Sequence, residues 1–173
     1  MRTIPDPGFA GDDGSVATEV AAAMTAYAAD PDALHHRAVA VLQDSRLLVP
    51  VVAMLGEVEY DEQGLAHDKT SDMAAVLMRG KDGRLALLAF TGHEPLQRWN
   101  PEARPVPVSA RQAAEAALHD EAAALVVDVA GPALLVIEGE DLRSLAEGYR
   151  LVEAAGGWAW ARVSDPGEDE PGR

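Results

Sequence analysis

The chain has 173 residues, a length that fits one domain with flexible ends, and its 48% hydrophobic content argues against a disordered protein. Its formal net charge of −15 disfavours nucleic acid and anionic membrane surfaces as partners, because both repel a negative protein. The absence of cysteine excludes disulfides, thiolate zinc sites and cysteine nucleophiles.

The first predicted elements are an arm and two helices. Residues 1–14 are rich in Pro, Gly and Asp, which is typical of a flexible arm. Apolar residues then recur at helical spacing, which predicts a first helix over 15–29 that Ser15 can cap. An Asp-Pro-Asp sequence beginning at Asp30 is typical of a helix start, so a second helix is predicted over 31–43.

A strand, a long polar loop and a hairpin follow. The aliphatic run 46–55 predicts a strand, and Pro50 places it at a sheet edge or a bulge because proline has no backbone N–H. The polar stretch 56–72 is long for a connection, and such loops are usually functional or disordered. The apolar runs 73–79 and 84–90 flank a short Asp-Gly turn, which predicts a central hairpin covered on both faces.

The middle of the chain predicts two further helices and an extended segment between them. Residues 93–99 form a short predicted helix with Leu96 and Trp99 on its inner face. After an extended stretch, Ser109 begins a capping box, which predicts a helix over 110–119.

The remaining predicted elements are two strands, a helix and a last edge strand, over 123–131, 133–139, 140–156 and 158–163. Gly148 is a point at which that helix could end early. The acidic segment 164–173 has no apolar anchor, which predicts disorder. We therefore expect one α+β (or α/β) domain over 15–163, in which two N-terminal helices precede a mixed sheet with a central hairpin and flanking helices.

Few residues indicate chemistry. No phosphate-binding loop, GxSxG elbow or HxxxH pair is present, and we expect no cofactor and no metal. The acidic loop around His67 could hold a weak divalent ion, but a solvated loop is favoured. The adjacent His35 and His36 should point to different faces of their helix.

Asp128 is conspicuous because it lies inside an apolar strand. It is predicted to lie on a solvent face, to cap a neighbouring turn, or to pair with an arginine such as Arg104. The tryptophans Trp99, Trp158 and Trp160 are predicted as core filler or, alternatively, as anchors for a partner.

Several blocks occur in a characteristic order: "SRLLVPVV", "DKTSDMAAVLM", "DGRLALLAFTGHEPLQRW", "ARPVPV" and "ALVVDVAGP". Over about residues 30–150 the chain resembles the N-terminal domain of the SseB family, the enhanced serine sensitivity proteins, in its actinobacterial form. The resemblance implies a small cytosolic α/β domain with no assigned catalytic residue. The positions that correspond to the family's most recognisable ones are Lys69, Thr70, Ser71, Asp72, Met73, Phe90, Thr91, Trp99, Pro105 and Pro107.

We therefore expect a non-catalytic, cytoplasmic binding or interaction module, with a protein partner or a second copy of the chain. The N-terminus shows no signal peptide, and no apolar run reaches the roughly 18 residues of a membrane span. The alternative is a small-molecule sensor or enzyme related to amino acids, which the family name alone suggests. The candidate contact residues, around a shallow pocket walled by Phe90 and Trp99, are Lys69, Thr70, Ser71, Asp72, Phe90, Thr91 and Trp99.

Overall fold

The structure is a computed structural model that describes residues 8–54, 59–60, 66–67 and 72–163. Within residues 53–73 the structure describes only the backbone of the strand residues and no side chains. The helices are α1 (Thr18–Ala29), α2 (Pro31–Leu42), α3 (His93–Trp99), α4 (Ala110–His119) and α5 (Gly139–Ala146). The strands are β1 (Arg46–Met54), β2 (Glu59–Tyr60), β3 (Ala66–His67), β4 (Asp72–Ala75), β5 (Leu77–Arg79), β6 (Leu85–Ala89), β7 (Arg104–Ser109), β8 (Ala124–Val127), β9 (Leu135–Glu138), β10 (Arg150–Ala154) and β11 (Gly157–Ala161).

The α+β class is confirmed, with helices around mixed sheets. One sheet has the strand order β4-β1-β7 and is antiparallel. A second, four-stranded sheet has the order β5-β6-β8-β9, in which β6 and β8 run parallel. A bridge between Leu48 and Phe90 joins the two sheets, and Val76 strengthens the junction by donating to the Pro50 carbonyl oxygen at 3.1 Å and accepting from the Leu88 N–H at 3.2 Å.

Prolines occupy two different positions in the three-stranded sheet. The predicted edge position of β1 is wrong, because β1 lies between β4 and β7. Pro50 lies where the partner of β1 changes from Phe90 to β4, a break in the ladder where a missing N–H is tolerated. One of the two edge strands of this sheet is β7, which carries Pro105 and Pro107.

The start of the domain matches the prediction except at the first cap. Asp30 caps α2, since its side chain accepts from the Ala33 N–H at 3.2 Å. The predicted cap by Ser15 is wrong: α1 begins after Ala17, and the Ser15 hydroxyl instead donates to Asp13 at 2.6 Å. The predicted boundary of the flexible arm stays a prediction, although Asp12, within that range, forms an ion pair with Arg46 at 2.6 Å.

The predicted hairpin is confirmed as β5 and β6, joined by a turn in which Gly83 has a φ of 83°. Its central position and its cover on both faces are wrong for β5, which is an edge strand with Leu77 36% exposed. The start of the predicted first strand forms β4, which pairs with β1 instead. The short helix α3 and the capping box of α4 are also confirmed. In that box the Ser109 hydroxyl accepts from the Gln112 N–H at 3.1 Å, and the Gln112 side chain accepts from the Ser109 N–H at 2.9 Å.

The predicted helix over 140–156 is wrong in its second half. Helix α5 ends at Ala146, and Gly148, with a φ of 82°, turns the chain into the hairpin β10–β11. The Gln43 side chain, at the end of α2, holds this hairpin by bonding the Leu151 carbonyl oxygen and N–H at 2.9 and 2.8 Å. The predicted last strand is present as β11, but it pairs with β10 in a separate two-stranded sheet.

Asp141 makes a second connection between α2 and the β10–β11 hairpin. It shows that the predicted divergence of His35 and His36 is wrong. His35 and His36 approach the same Asp141 oxygen, at 3.2 and 3.7 Å, although they are neighbours on α2. The other oxygen of Asp141 accepts from the indole N–H of Trp160 at 2.9 Å. Asp141 therefore links α2, α5 and β11.

The core has two parts, one on each face of the four-stranded sheet. The larger part packs α1, α2, α4 and α5 against sheet residues such as Leu87, Leu125 and Ile137. The smaller part lies around Phe90 and Leu96 and includes the partly buried Trp99. The helix α3 thus covers the second face near the carboxyl end of β6, where the candidate site lies.

Candidate functional site

The two buried polar side chains of the described part of the chain, Thr91 and Asp128, lie together. Each is 4% exposed. The Thr91 N–H donates to Asp128 Oδ1 at 2.8 Å, and the Thr91 hydroxyl donates to Oδ2 at 2.7 Å. Thr91 follows β6 and Asp128 follows β8, so the pair lies at the carboxyl ends of two adjacent parallel strands. Ligands of α/β sheets bind preferentially at this end of the strands.

The backbone at Asp128 fixes the carboxylate in place. Its φ is 56°, a left-handed conformation that Asp adopts more readily than most residues. The Asp128 N–H donates to the Ala89 carbonyl oxygen at 3.0 Å, and its own carbonyl oxygen accepts from Gly131 at 2.9 Å. The Asp128 side chain is 4% exposed and bonds Thr91, so the predicted solvent-facing position is wrong, and its described side-chain bonds include neither a turn cap nor an ion pair with Arg104.

A cleft of about 240 Å³ opens beside the Thr91–Asp128 pair. Helix α1 forms one wall, and helix α3 with the β8–β9 connection forms the other. The residues that line it are Val16, Ala21, Met24, Thr25, Thr91, Glu94, Pro95, Arg98, Asp128 and Pro132. A mostly apolar lining with a few fixed polar groups is typical of small-molecule sites.

Arg98 lies at the rim of this cleft and is held in place by two partners. It donates to the Gly131 carbonyl oxygen and to Glu94 Oε1, each at 2.9 Å. Its charge acts on Asp128 without a hydrogen bond between the two side chains among those described.

The acidity of Asp128 is set by opposing effects. Burial raises the pKa of its carboxyl, while the Thr91 hydrogen bonds and the Arg98 charge lower it, and the net effect is a raised pKa. A buried carboxyl with a perturbed pKa in a cleft is a common feature of functional sites.

The predicted site residues are only partly brought together. Thr91 lies in the cleft, whereas Phe90 is completely buried and packs its ring 5.5 Å from that of the partly buried Trp99. Any contribution of Phe90 to binding is therefore indirect. Lys69, Thr70 and Ser71 lie outside the described residues, and of Asp72 only the strand pairing with Met54 is described. The set of site residues stays a prediction.

The sequence did not indicate the cleft itself. The one signal in the sequence is Asp128, which is predicted to lie inside an apolar strand and in the structure follows β8 directly. The contribution of Met24 and Pro132 depends on packing between distant segments, which no local pattern encodes.

The described residues include neither a metal site nor a membrane-spanning helix. Among them, no group of three or more His, Asp or Glu side chains is arranged to hold a metal ion. Within the same ranges, no helix is both long and apolar enough to cross a membrane.

Comparison with known proteins gives one match. The family described as SseB protein N-terminal domain matches residues 20–144, which include α2 to α4, the β5–β6 hairpin and the Thr91–Asp128 pair. No curated protein and no solved structure matches the chain.

Proposed function

Because the chain belongs to the SseB family, we propose that it is a non-catalytic binding module of the cytoplasm whose ligand occupies the cleft beside Thr91 and Asp128. Three features support this proposal: a buried carboxylate, a cleft of small-molecule size and a position at the carboxyl ends of parallel strands. The buried carboxylate carries the argument, because leaving a charge unpaired in a protein interior is costly unless something offsets it.

The arrangement favours binding over catalysis. Both oxygens of Asp128 already accept hydrogen bonds from Thr91, so the carboxylate is a fixed acceptor. The second carboxylate of the cleft, that of Glu94, is paired with Arg98 at 2.9 Å. Both carboxylates are thus fixed in position by partners, which supports a binding role for the cleft.

The test uses a substitution that fills the cleft without altering the core. Ala21 is exposed on α1 and lines the cleft, whereas its neighbour Ala22 is also exposed and does not line it. We expect a thermal-shift screen of small metabolites, including amino acids, to find a compound that raises the Tm of the wild type and of Ala22→Trp but not of Ala21→Trp. A shift that persists in Ala21→Trp, or no shift with any compound, would contradict the proposal.

A second candidate function, self-association, is favoured by the edge strand β9. This strand lies at the edge of the four-stranded sheet and contains no proline, while the edge strand β7 carries two. Leu134, just before β9, is 43% exposed. An uncovered edge strand can pair with the same strand of a second copy about a two-fold axis.

Analytical ultracentrifugation tests this second candidate with a matched pair of variants. Leu134→Glu places a charge beside β9, and Val106→Glu places the same charge on β7, where Val106 is 40% exposed. We expect the wild type and Val106→Glu to form dimers and Leu134→Glu to remain monomeric. Dimers that are unaffected by Leu134→Glu, or a wild type that is strictly monomeric, would refute pairing through β9.

A further inference from the structure

The carboxylate of Asp128 has no ion-pair partner among the described residues. Arg98, whose charge acts on it, donates instead to Glu94 and to the Gly131 carbonyl oxygen. The carboxylate of Asp12, by contrast, has Arg46 as a charged partner at 2.6 Å. When ionised, Asp128 is therefore a buried negative charge that none of these side chains pairs with directly.

The Asp128 carboxylate also has acceptor capacity left. An ionised carboxylate offers about four acceptor positions on its two oxygens. Thr91 occupies one position on each oxygen, at 2.8 and 2.7 Å. About two positions are left for donors that enter from the cleft.

We propose that the cleft binds a small molecule that carries a protonated primary amine, with the ammonium group against Asp128 and an uncharged body between α1 and α3. This inference rests on the proposed function and specifies its ligand. An ammonium group supplies three donors and a full positive charge, so it can fill the open acceptor positions and neutralise the buried carboxylate together.

The size and lining of the cleft define the rest of the ligand. A volume of about 240 Å³ equals that of roughly eight water molecules at about 30 Å³ each. The walls beyond the carboxylate include the apolar side chains of Val16, Met24 and Pro95. A short aliphatic amine fits both properties.

The same argument excludes anions from the floor of the cleft. A ligand carboxylate or phosphate placed there would meet the Asp128 charge at close range, where repulsion is strong because burial lowers the effective dielectric constant. The ligand class is thus set by charge as well as by size.

The experiment compares three probes of equal length with the full chain at neutral pH. Propylammonium chloride, propan-1-ol and sodium propionate are each titrated while amide resonances are followed by NMR. We expect propylammonium to shift the Thr91 and Asp128 amides in a saturable way, propan-1-ol to bind at least tenfold more weakly, and propionate to produce no saturable shift, because a charge-assisted hydrogen bond is worth roughly 1.5–3 kcal/mol.

Two variants assign the effect to the carboxylate. Asp128→Asn keeps the shape and should weaken propylammonium binding at least tenfold, while Glu102→Gln removes an equal charge at an exposed position outside the cleft and should leave binding unchanged. Circular dichroism verifies that both variants are folded. Should Asp128→Asn be unfolded, the probe comparison in the wild type decides the proposal by itself.

The possible failures differ in what they refute. Equal binding of propylammonium and propan-1-ol that Ala21→Trp abolishes would overturn the ammonium inference and leave the cleft as a binding site. Propylammonium binding that Asp128→Asn does not change would also overturn the inference. If none of the three probes binds the wild type and the metabolite screen is flat, the proposed function is refuted as well.

Discussion

Asp128 and Thr91 form a buried pair in which the threonine satisfies the carboxylate and the carboxylate fixes the end of β6. Because Asp128 follows β8, the two hydrogen bonds join neighbouring strands at their carboxyl ends. Their energetic role can be measured by removing one bond at a time.

Replacing the Thr91 hydroxyl tests the side-chain bond. Thr91→Val has nearly the same shape but leaves Asp128 Oδ2 without its donor at 2.7 Å. We expect a loss of about 1–3 kcal/mol in the free energy of unfolding, the usual cost of an unsatisfied buried group. Urea denaturation measures it, and Thr91→Ser, which keeps the hydroxyl, is the control. An unchanged stability of Thr91→Val would show that water or another donor replaces the hydroxyl.

The raised pKa of Asp128 makes its contribution to stability depend on pH. Between the ordinary value of 3.8 and the raised folded-state pKa, the folded state binds more protons than the unfolded state, so folding is favoured at low pH. This contribution is complete below the ordinary value and is lost as the pH rises through the folded-state pKa. We therefore expect the stability of the wild type relative to Asp128→Asn to fall with rising pH.

Denaturation of both proteins from about pH 3 to neutrality measures this difference, since the other titrating groups are common to both. Asn is the suitable replacement because it tolerates the left-handed backbone at this position. A difference that rises with pH would mean that the hydrogen bonds from Thr91 outweigh burial.

At the residue scale the sequence identified Asp128 as unusual but left three roles open. The observed partner is none of these but Thr91, which lies 37 positions earlier and reaches Asp128 because β6 and β8 pair in parallel. Helix α3 starts without a side-chain cap because its N-cap residue is Gly92, which leaves the Thr91 hydroxyl for Asp128.

At the scale of elements, local signals sufficed where caps and turns determine the structure. Asp30, the Asp-Gly turn and the Ser109–Gln112 box each fix a boundary through nearest neighbours. The stretch 150–154 did not form the predicted helix, because Gly148 breaks it and Gln43, 108 positions before Leu151, supplies the bonds that a strand requires. A pairing so distant in sequence lies outside any local pattern.

The attachment by Gln43 is testable. Gln43→Met keeps the length of the side chain and removes both bonds to Leu151, of 2.9 and 2.8 Å. We expect a loss of about 2 kcal/mol in unfolding free energy, from two hydrogen bonds of about 1 kcal/mol each. Gln97→Met, at an exposed position on α3, should change stability by less than about 0.5 kcal/mol. Equal effects of the two substitutions would contradict the assigned role of Gln43.

For the molecule as a whole, the charge of −15 governs any contact between two copies. Copies of the same sign repel, and raising the salt concentration from about 0.01 M to about 0.15 M shortens the Debye length from about 30 Å to about 8 Å. We therefore expect self-association to strengthen with salt, as measured by sedimentation equilibrium. Association that weakens with salt would instead indicate an interface dominated by ion pairs.

The attachment of the β10–β11 hairpin has a consequence for how the molecule opens. The family match ends at residue 144, and the hairpin after it forms a sheet of its own. Besides the buried Leu151, its ties include Gln43, the Asp44–Arg150 pair and Asp141. Such a unit can detach while the larger sheets stay folded, as cooperative units do in native-state hydrogen exchange. We therefore expect the amides of the hairpin to exchange at a free energy below that of global unfolding.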